Sequence, residues 1–471
     1  ENQSEMILEM MDSELPPLRL WSLDKISKYP TVAEDFRERI FSLLSDDSRD
    51  VRLQTAKGLV NMSDLNPAEV LLEHFQSETD HEVALAMFEA LGEACFFAFS
   101  PGSPVDLSQD IKTQTLGIAT DYLRSDSAES VVKGAKVIRK ILELNNLSNE
   151  MTKSYLEALR DRYEKSMTED DVLRADLLSV LAHLCGQSGT KADACVLYEP
   201  YLKEGLTVQD NPALRLAAAQ GLSYVDKVKA LELFKQNDLM SDENPAVQQV
   251  VIDLAGQTGD TSDLQWLLGA MAANGYSDHA WLAIKNICQR QEAKFLVKWV
   301  AELEAADGAT GEYVREILDI AEQKAASEKN ETLQVQIQQQ ILSRLVERKT
   351  WESALTYLDE IGYDPAEKRF SAETDASVLK VFLYSDAANE VISMLQTEMG
   401  RADLPDTSLL VPVLKEYFLD ETVSDEPKLL LLNKIRSSAF GDHPNWSALL
   451  RFIDDALMAQ QPGPVPPPSV D

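Results

Sequence analysis

The side chains able to do chemistry are few and widely scattered. There are five histidines: His74, His81, His183, His279 and His443. No two stand four apart, the spacing at which a helix presents a pair of metal ligands. His74 and His81 could approach across a turn that also holds Glu78 and Asp80, but two exposed loop histidines are the better reading. Carboxylates cluster at Asp46-Asp47, Glu169-Asp170-Asp171, Asp242-Glu243 and Asp425-Glu426. Acid/base work or calcium would use such groups. A calcium loop needs oxygen ligands at alternating positions, a Gly and a distant Glu, and that order is missing. The clusters stand just ahead of helical patterns, where Asp and Glu cap exposed N–H groups. Gly186 to Lys191 (GQSGTK) lacks the Gly-Lys-Ser/Thr order of a phosphate loop. HExxH, CxxC and GxSxG are absent. The sequence therefore predicts no catalytic residue, no metal site and no cofactor.

What remains is a chain built to pack. Hydrophobic residues make up 44 %, and Gly and Pro number only 19 each in 471 residues. Asp and Glu total 79 against 44 Lys and Arg, a formal net charge of −35. A nucleic-acid binder needs a basic footprint, so that class is excluded as an expectation. Apolar runs such as Ala94 to Phe99 and Leu429 to Leu432 fall far short of the ~20 residues of a membrane span. The four cysteines are sparse. Cys95 and Cys288 read as small core residues. Cys185 and Cys195 flank a short turn and either pack as two thiols or close a loop in an oxidising compartment.

An internal repeat organises the packing. A polar turn is followed by an apolar anchor, often with Arg next, and then by apolar or small residues five and eight positions on. The copies are Leu18 (Leu23, Ile26), Val51 (Ala56, Leu59), Val83 (Phe88, Leu91), Ser130-Val131 (Ala135, Ile138), Leu173 (Leu178, Leu181), Leu214 (Ala219, Leu222), Val247 (Ile252, Ala255) and His279 (Ile284, Ile287). Anchor spacings are 33, 32, 47, 43, 41, 33 and 32 residues. Offsets of five and eight mark one broad helical face. A second amphipathic segment lies between copies, as in Pro67 to Phe75 and Lys227 to Phe234. Asn-Pro-Ala recurs at Asn66, Asn211 and Asn244, pairing an N-cap with a Pro suited to the first helical position. Two helices per unit predict an all-α chain of stacked antiparallel pairs, an α-solenoid curved into a superhelix.

Leu44 to Met62 (LSDDSRDVRLQTAKGLVNM) and Asp210 to Val225 (DNPALRLAAAQGLSYV) resemble HEAT repeats, an armadillo-like family. The likeness runs from Leu18 to Gln291. It implies that Arg19, Arg52, Arg174 and Arg215 form a structural ladder, each pairing with the inter-helix Asp or Glu of a neighbouring repeat. Ala84, Gln248 and Ala280 replace Arg in three copies, and Phe96 to Thr113 is expected to be a long loop. HEAT-like deoxyhypusine hydroxylases hold iron through several His-Glu pairs, and here only His81-Glu82 is such a pair. Most tryptophans fall at core positions, while Trp266, Trp281 and Trp299 are candidates to line a partner groove.

The expected divisions are a HEAT-like stack over 1–291, less regular helical repeats over 292–460 and a Pro-rich extended tail over 461–471. A stretch near 340–361, with Trp351, Ala354 and Tyr357 on one face, resembles a tetratricopeptide pair. Gly362 to Thr374 and Asp420 to Pro427 are expected loops. The expected function is a non-enzymatic scaffold that binds proteins with basic segments. Two alternatives stand beside it. One is a HEAT-like enzyme, such as a bilin lyase; the alkylpurine glycosylases of this fold need a basic groove. The other is an extracytoplasmic module whose signal or anchor preceded Glu1, as opposed to a cytoplasmic chain.

Overall fold

The computed structural model describes residues 2–28, 30–272, 277–305, 311–364, 370–399 and 407–438, with 450, 451 and 455. Among these there are 24 α-helices and no strand. The chain divides into two compact units, Glu1–Ile287 and Cys288–Asp471. The 461–471 tail, His443 and Trp446 lie outside the described residues.

In the first unit every anchor opens a helix. These first helices are Pro16–Ser27, Arg49–Leu59, His81–Phe99, Ala128–Glu143, Asp171–Gly186, Pro212–Val225, Pro245–Thr258 and Ser277–Cys288. All residues at the five- and eight-residue offsets are buried. Burial of these stripes, at about 25 cal/mol per Å² of apolar surface, is the main force holding each helix to its neighbours. Two anchors depart from the pattern: Leu18 is half-buried and His279 is exposed, with Ala280 taking its place in the core. From Pro16–Ser27 to Pro245–Thr258 each first helix packs on the next. Second helices follow them, including Ala68–Ser77, Gln109–Leu123, Asn149–Ser166, Lys191–Leu206 and Lys227–Gln236.

Close approach explains some glycines. A Cβ at Gly134 would stand 2.7 Å from the Ala119 carbonyl oxygen, and one at Gly256 would stand 2.8 Å from the Ala283 Cα. Neither backbone can yield without moving its helix.

The caps differ partly from expectation. Asn211 and Asn244 accept from the Leu214 and Ala246 amides at 2.9 and 3.0 Å. Asn66 does not cap; its backbone is left-handed at φ 51° and ends the short turn Ser63–Leu65. Asn tolerates that conformation better than most residues. The expected loop from Phe96 to Thr113 is shorter, because the apolar run CFFAF extends its helix to Phe99 and the next helix starts at Gln109. Ser100 precedes Pro101 and is extended at ψ 145°, as the residue before proline prefers.

The second unit repeats the pairing: Ala293–Ala305 with Gly311–Ser327, Glu331–Glu347 with Trp351–Glu360, Ala372–Tyr384 with Ala388–Met399, and Thr407–Leu419 followed by Asp425–Ser437. Helices start at Ala372 and Asp425, so both expected loops end earlier. Rings link its repeats. Trp351 stacks on Tyr384 with centroids 4.7 Å apart, and Tyr384 meets Tyr417 edge-on at 5.3 Å. The Tyr384 hydroxyl donates to Asp420 at 2.9 Å.

Candidate interaction surface

Arg19, Arg52, Arg174 and Arg215 each stand at the fourth residue of a first helix. Three of them make the same brace. Arg19 donates to Asp46 at 2.7 Å, Arg52 to Glu78 at 2.8 and 3.2 Å, and Arg215 to Asp242 at 2.7 and 3.1 Å. A further N–H of each reaches back to the turn before its own helix: Ser13 O at 2.6 Å, Asp46 O at 2.9 Å and Val208 O at 2.9 Å. Each carboxylate then accepts a backbone amide two residues on, from Ser48, Asp80 or Asn244, at 2.8, 2.9 and 2.8 Å. One side chain thus ties two successive turns together. Asp46 belongs to two braces, through its carboxylate and its carbonyl, so Arg19, Asp46, Arg52 and Glu78 form a continuous run.

Arg174 differs. It donates to Glu204 at 3.0 Å and to the Tyr163 hydroxyl at 3.3 Å, and Glu204 lies in the second helix of the same repeat. Gln248, in the Arg position, keeps the backward half of the brace by donating to the Asp242 carbonyl. Buried Lys428 stands fourth in its helix and donates to Asp420 O at 2.6 Å. Sequence analysis named Gln248 only as a replacement for Arg and did not single out Lys428, which holds the same fourth position in its helix.

The face of the early second helices is acidic and exposed. Glu38 lies on Arg37–Ser42, Glu69 and Glu73 on Ala68–Ser77, and Asp110 and Asp121 on Gln109–Leu123. The cations nearby are otherwise engaged. Arg39 pairs with Asp12, Arg37 lies 3.9 Å from Glu34, and buried Lys112 donates to Asn146 at 3.1 Å. Among the described residues no basic group lies within ion-pair distance of Glu38, Glu69, Glu73 or Asp110. Farther along, Lys227–Gln236 exposes Lys227, Lys229 and Lys235 beside Glu232. The first helices behave differently: Glu89 and Glu93 on one pair with Lys133 and Lys140 on the next.

Trp281 and Trp299 are 6 % and 4 % exposed, which corrects their assignment to a partner groove. Their rings are spent on core packing because they fall on the buried stripes of their helices. Trp266 is half-buried on the second helix Leu264–Ala272. His81 points to the following repeat, with Nε2 3.4 Å from the Ser130 hydroxyl, while Glu78 is held by Arg52. Among the described residues no three His, Cys, Asp or Glu side chains are placed to hold a metal ion. No described helix is long and apolar enough to cross a membrane.

Residues 199–288 match the family model for HEAT repeats. No curated protein matches the sequence. Among solved structures, yeast importin-beta aligns over 97 % of this chain and 57 % of its own, at 12 % identity and TM-score 0.48. A karyopherin bound to a SUMO protease aligns over 97 % and 46 %, at 14 % identity and TM-score 0.35. An engineered protein aligns over 96 % and 98 %, at 12 % identity and TM-score 0.34. The chain spans about half the length of those two karyopherin-type structures. Residues 199–288 therefore carry HEAT repeats, and within each unit the paired helices are stacked in series as an α-solenoid.

Proposed function

We propose that this chain is a non-enzymatic scaffold that binds a protein partner through a basic segment, docked on the early second helices. One observation carries the reading: Glu38, Glu69, Glu73 and Asp110 stand exposed on successive second helices with no internal cation to neutralise them. Such a face attracts Lys- and Arg-rich segments and speeds their encounter. The formal charge of −35 acts in the same direction and disfavours nucleic acid.

In this reading Arg19 and Arg52, whose braces lie among the acidic helices, serve the surface indirectly. They fix the angle between repeats and so the spacing of the acidic helices. The HEAT-like stack is taken as 1–291, with less regular repeats over 292–460 and an extended tail over 461–471. Titration with a Lys-rich peptide at rising salt tests the electrostatic part. Affinity should fall steeply with ionic strength; affinity unchanged across the series contradicts the reading.

A further inference from the structure

Cys185 lies in the last turn of Asp171–Gly186, and Cys195 in the second turn of Lys191–Leu206. Four residues, Gln187 to Thr190, join the two helices and bring these turns side by side. The Cys195 thiol donates to the Cys185 carbonyl oxygen at 3.8 Å, which sets the two residues on facing turns. Both are free. Their environments are unequal. Cys95, Cys185 and Cys288 are fully buried, whereas Cys195 is half-buried. Cys195 is therefore the thiol of the four that solvent can reach, and its neighbour is a second thiol.

We propose that Cys195 and Cys185 form an oxidation site, with peroxide as the oxidant and an intramolecular disulfide as the product. The Cys195 sulfur attacks one peroxide oxygen as the O–O bond breaks. That gives a sulfenic acid on Cys195 and one water, with two electrons passing to peroxide. The Cys185 sulfur then displaces the hydroxyl from Cys195, forming the S–S bond and releasing a second water. The two thiol protons leave in these waters. A resolving thiol on the facing turn makes the second step intramolecular, so the sulfenic acid should not accumulate. Burial of both thiols pushes them above the ordinary range, which makes the first step slower than at an activated cysteine.

The product would clasp the end of one first helix to the start of the second helix in its pair. The site is independent of the acidic face, and its chemistry stands or falls separately from the scaffold reading.

The test treats the folded full chain with hydrogen peroxide, quenches, unfolds it under alkylating conditions and maps tryptic peptides. Lys191 separates the two cysteines, so residues 175–191 and 192–203 fall on different peptides. The expected result is that these peptides become joined while Cys95 and Cys288 are alkylated as in the untreated chain. Cys195→Ser replaces a half-buried residue, and peroxide should then leave all three remaining thiols alkylatable. Cys195 found as a sulfinic or sulfonic acid beside an alkylated Cys185 would overturn the proposal. So would oxidation of Cys185 in the Cys195→Ser variant at the rate seen in the parent.

Discussion

Arg215 and Asp242 stand 27 residues apart in sequence and share two hydrogen bonds, 2.7 and 3.1 Å long, with side chains 8 % and 4 % exposed. The pair lies where one repeat hands over to the next. Asp242 closes the turn that starts Pro245–Thr258, and Arg215 holds the turn that starts Pro212–Val225. Charge pairing, turn closure and repeat spacing therefore depend on the same two side chains.

Arg215→Ala should be costly, because it leaves Asp242 buried without its cation. Breaking one partner of a buried pair costs about 3–5 kcal/mol. Glu199→Ala removes the partner of exposed Lys203 and should cost under about 1 kcal/mol, as surface pairs do. Urea unfolding of the two variants measures the difference. Equal losses would show that the brace contributes no more than an ordinary surface contact.

Acid should weaken the stack through the same carboxylates. Burial raises Glu78, but Arg52 and the Asp80 and Thr79 amides outweigh it and hold the group below its usual range. Burial likewise raises Asp242, and Arg215 with the Asn244 amide outweighs that. A group held low when folded binds its proton more readily when unfolded. Its contribution is complete above the ordinary carboxylate value of about 4 and is lost as pH falls through the lower folded value. Asp242→Asn should be less stable at pH 7 yet lose less of its remaining stability on acidification. A melting series from neutral to acid pH checks this, and parallel curves for parent and variant would refute it.

Two glycines in helices should respond in opposite senses to alanine. At Gly134 the new Cβ meets the Ala119 carbonyl oxygen at 2.7 Å, and overpacking of this kind costs about 1–3 kcal/mol. At Gly117 nothing lies within 4 Å, so Gly117→Ala should stabilise by about 0.5–1 kcal/mol through helix propensity. Midpoints of thermal unfolding should move down for the first and up for the second. A rise for Gly134→Ala would mean the helices Gln109–Leu123 and Ala128–Glu143 separate easily.

Much of the packing was legible in the sequence. Leu23, Ala56, Phe88, Ala135, Leu178, Ala219, Ile252 and Ile284 are all buried, because an apolar stripe must face a neighbouring helix wherever pairs are stacked. Partners were less legible. Periodicity says which face Arg52 occupies, but whether it meets Glu78 or Asp80 depends on how far the next turn is displaced. The Trp351–Tyr384–Tyr417 column escaped notice for the same reason, since its rings meet only once consecutive repeats are stacked. Trp281 and Trp299 show the converse. Residue type suggested binding anchors, while their place on the apolar stripe already pointed to the core.

The most direct measurement of the scaffold reading compares two triple variants of equal charge change against a Lys-rich peptide at fixed low salt. One carries Glu69→Lys, Glu73→Lys and Asp110→Lys on the second-helix face. The other carries Asp47→Lys, Asp176→Lys and Glu243→Lys, exposed acids in turns and on a first helix. Both should keep the helical circular dichroism of the parent. The account predicts at least a tenfold larger loss of affinity for the first variant, about 1.4 kcal/mol of selective binding energy. Equal losses would mean that the peptide senses only net charge, and would contradict a docking face on the second helices.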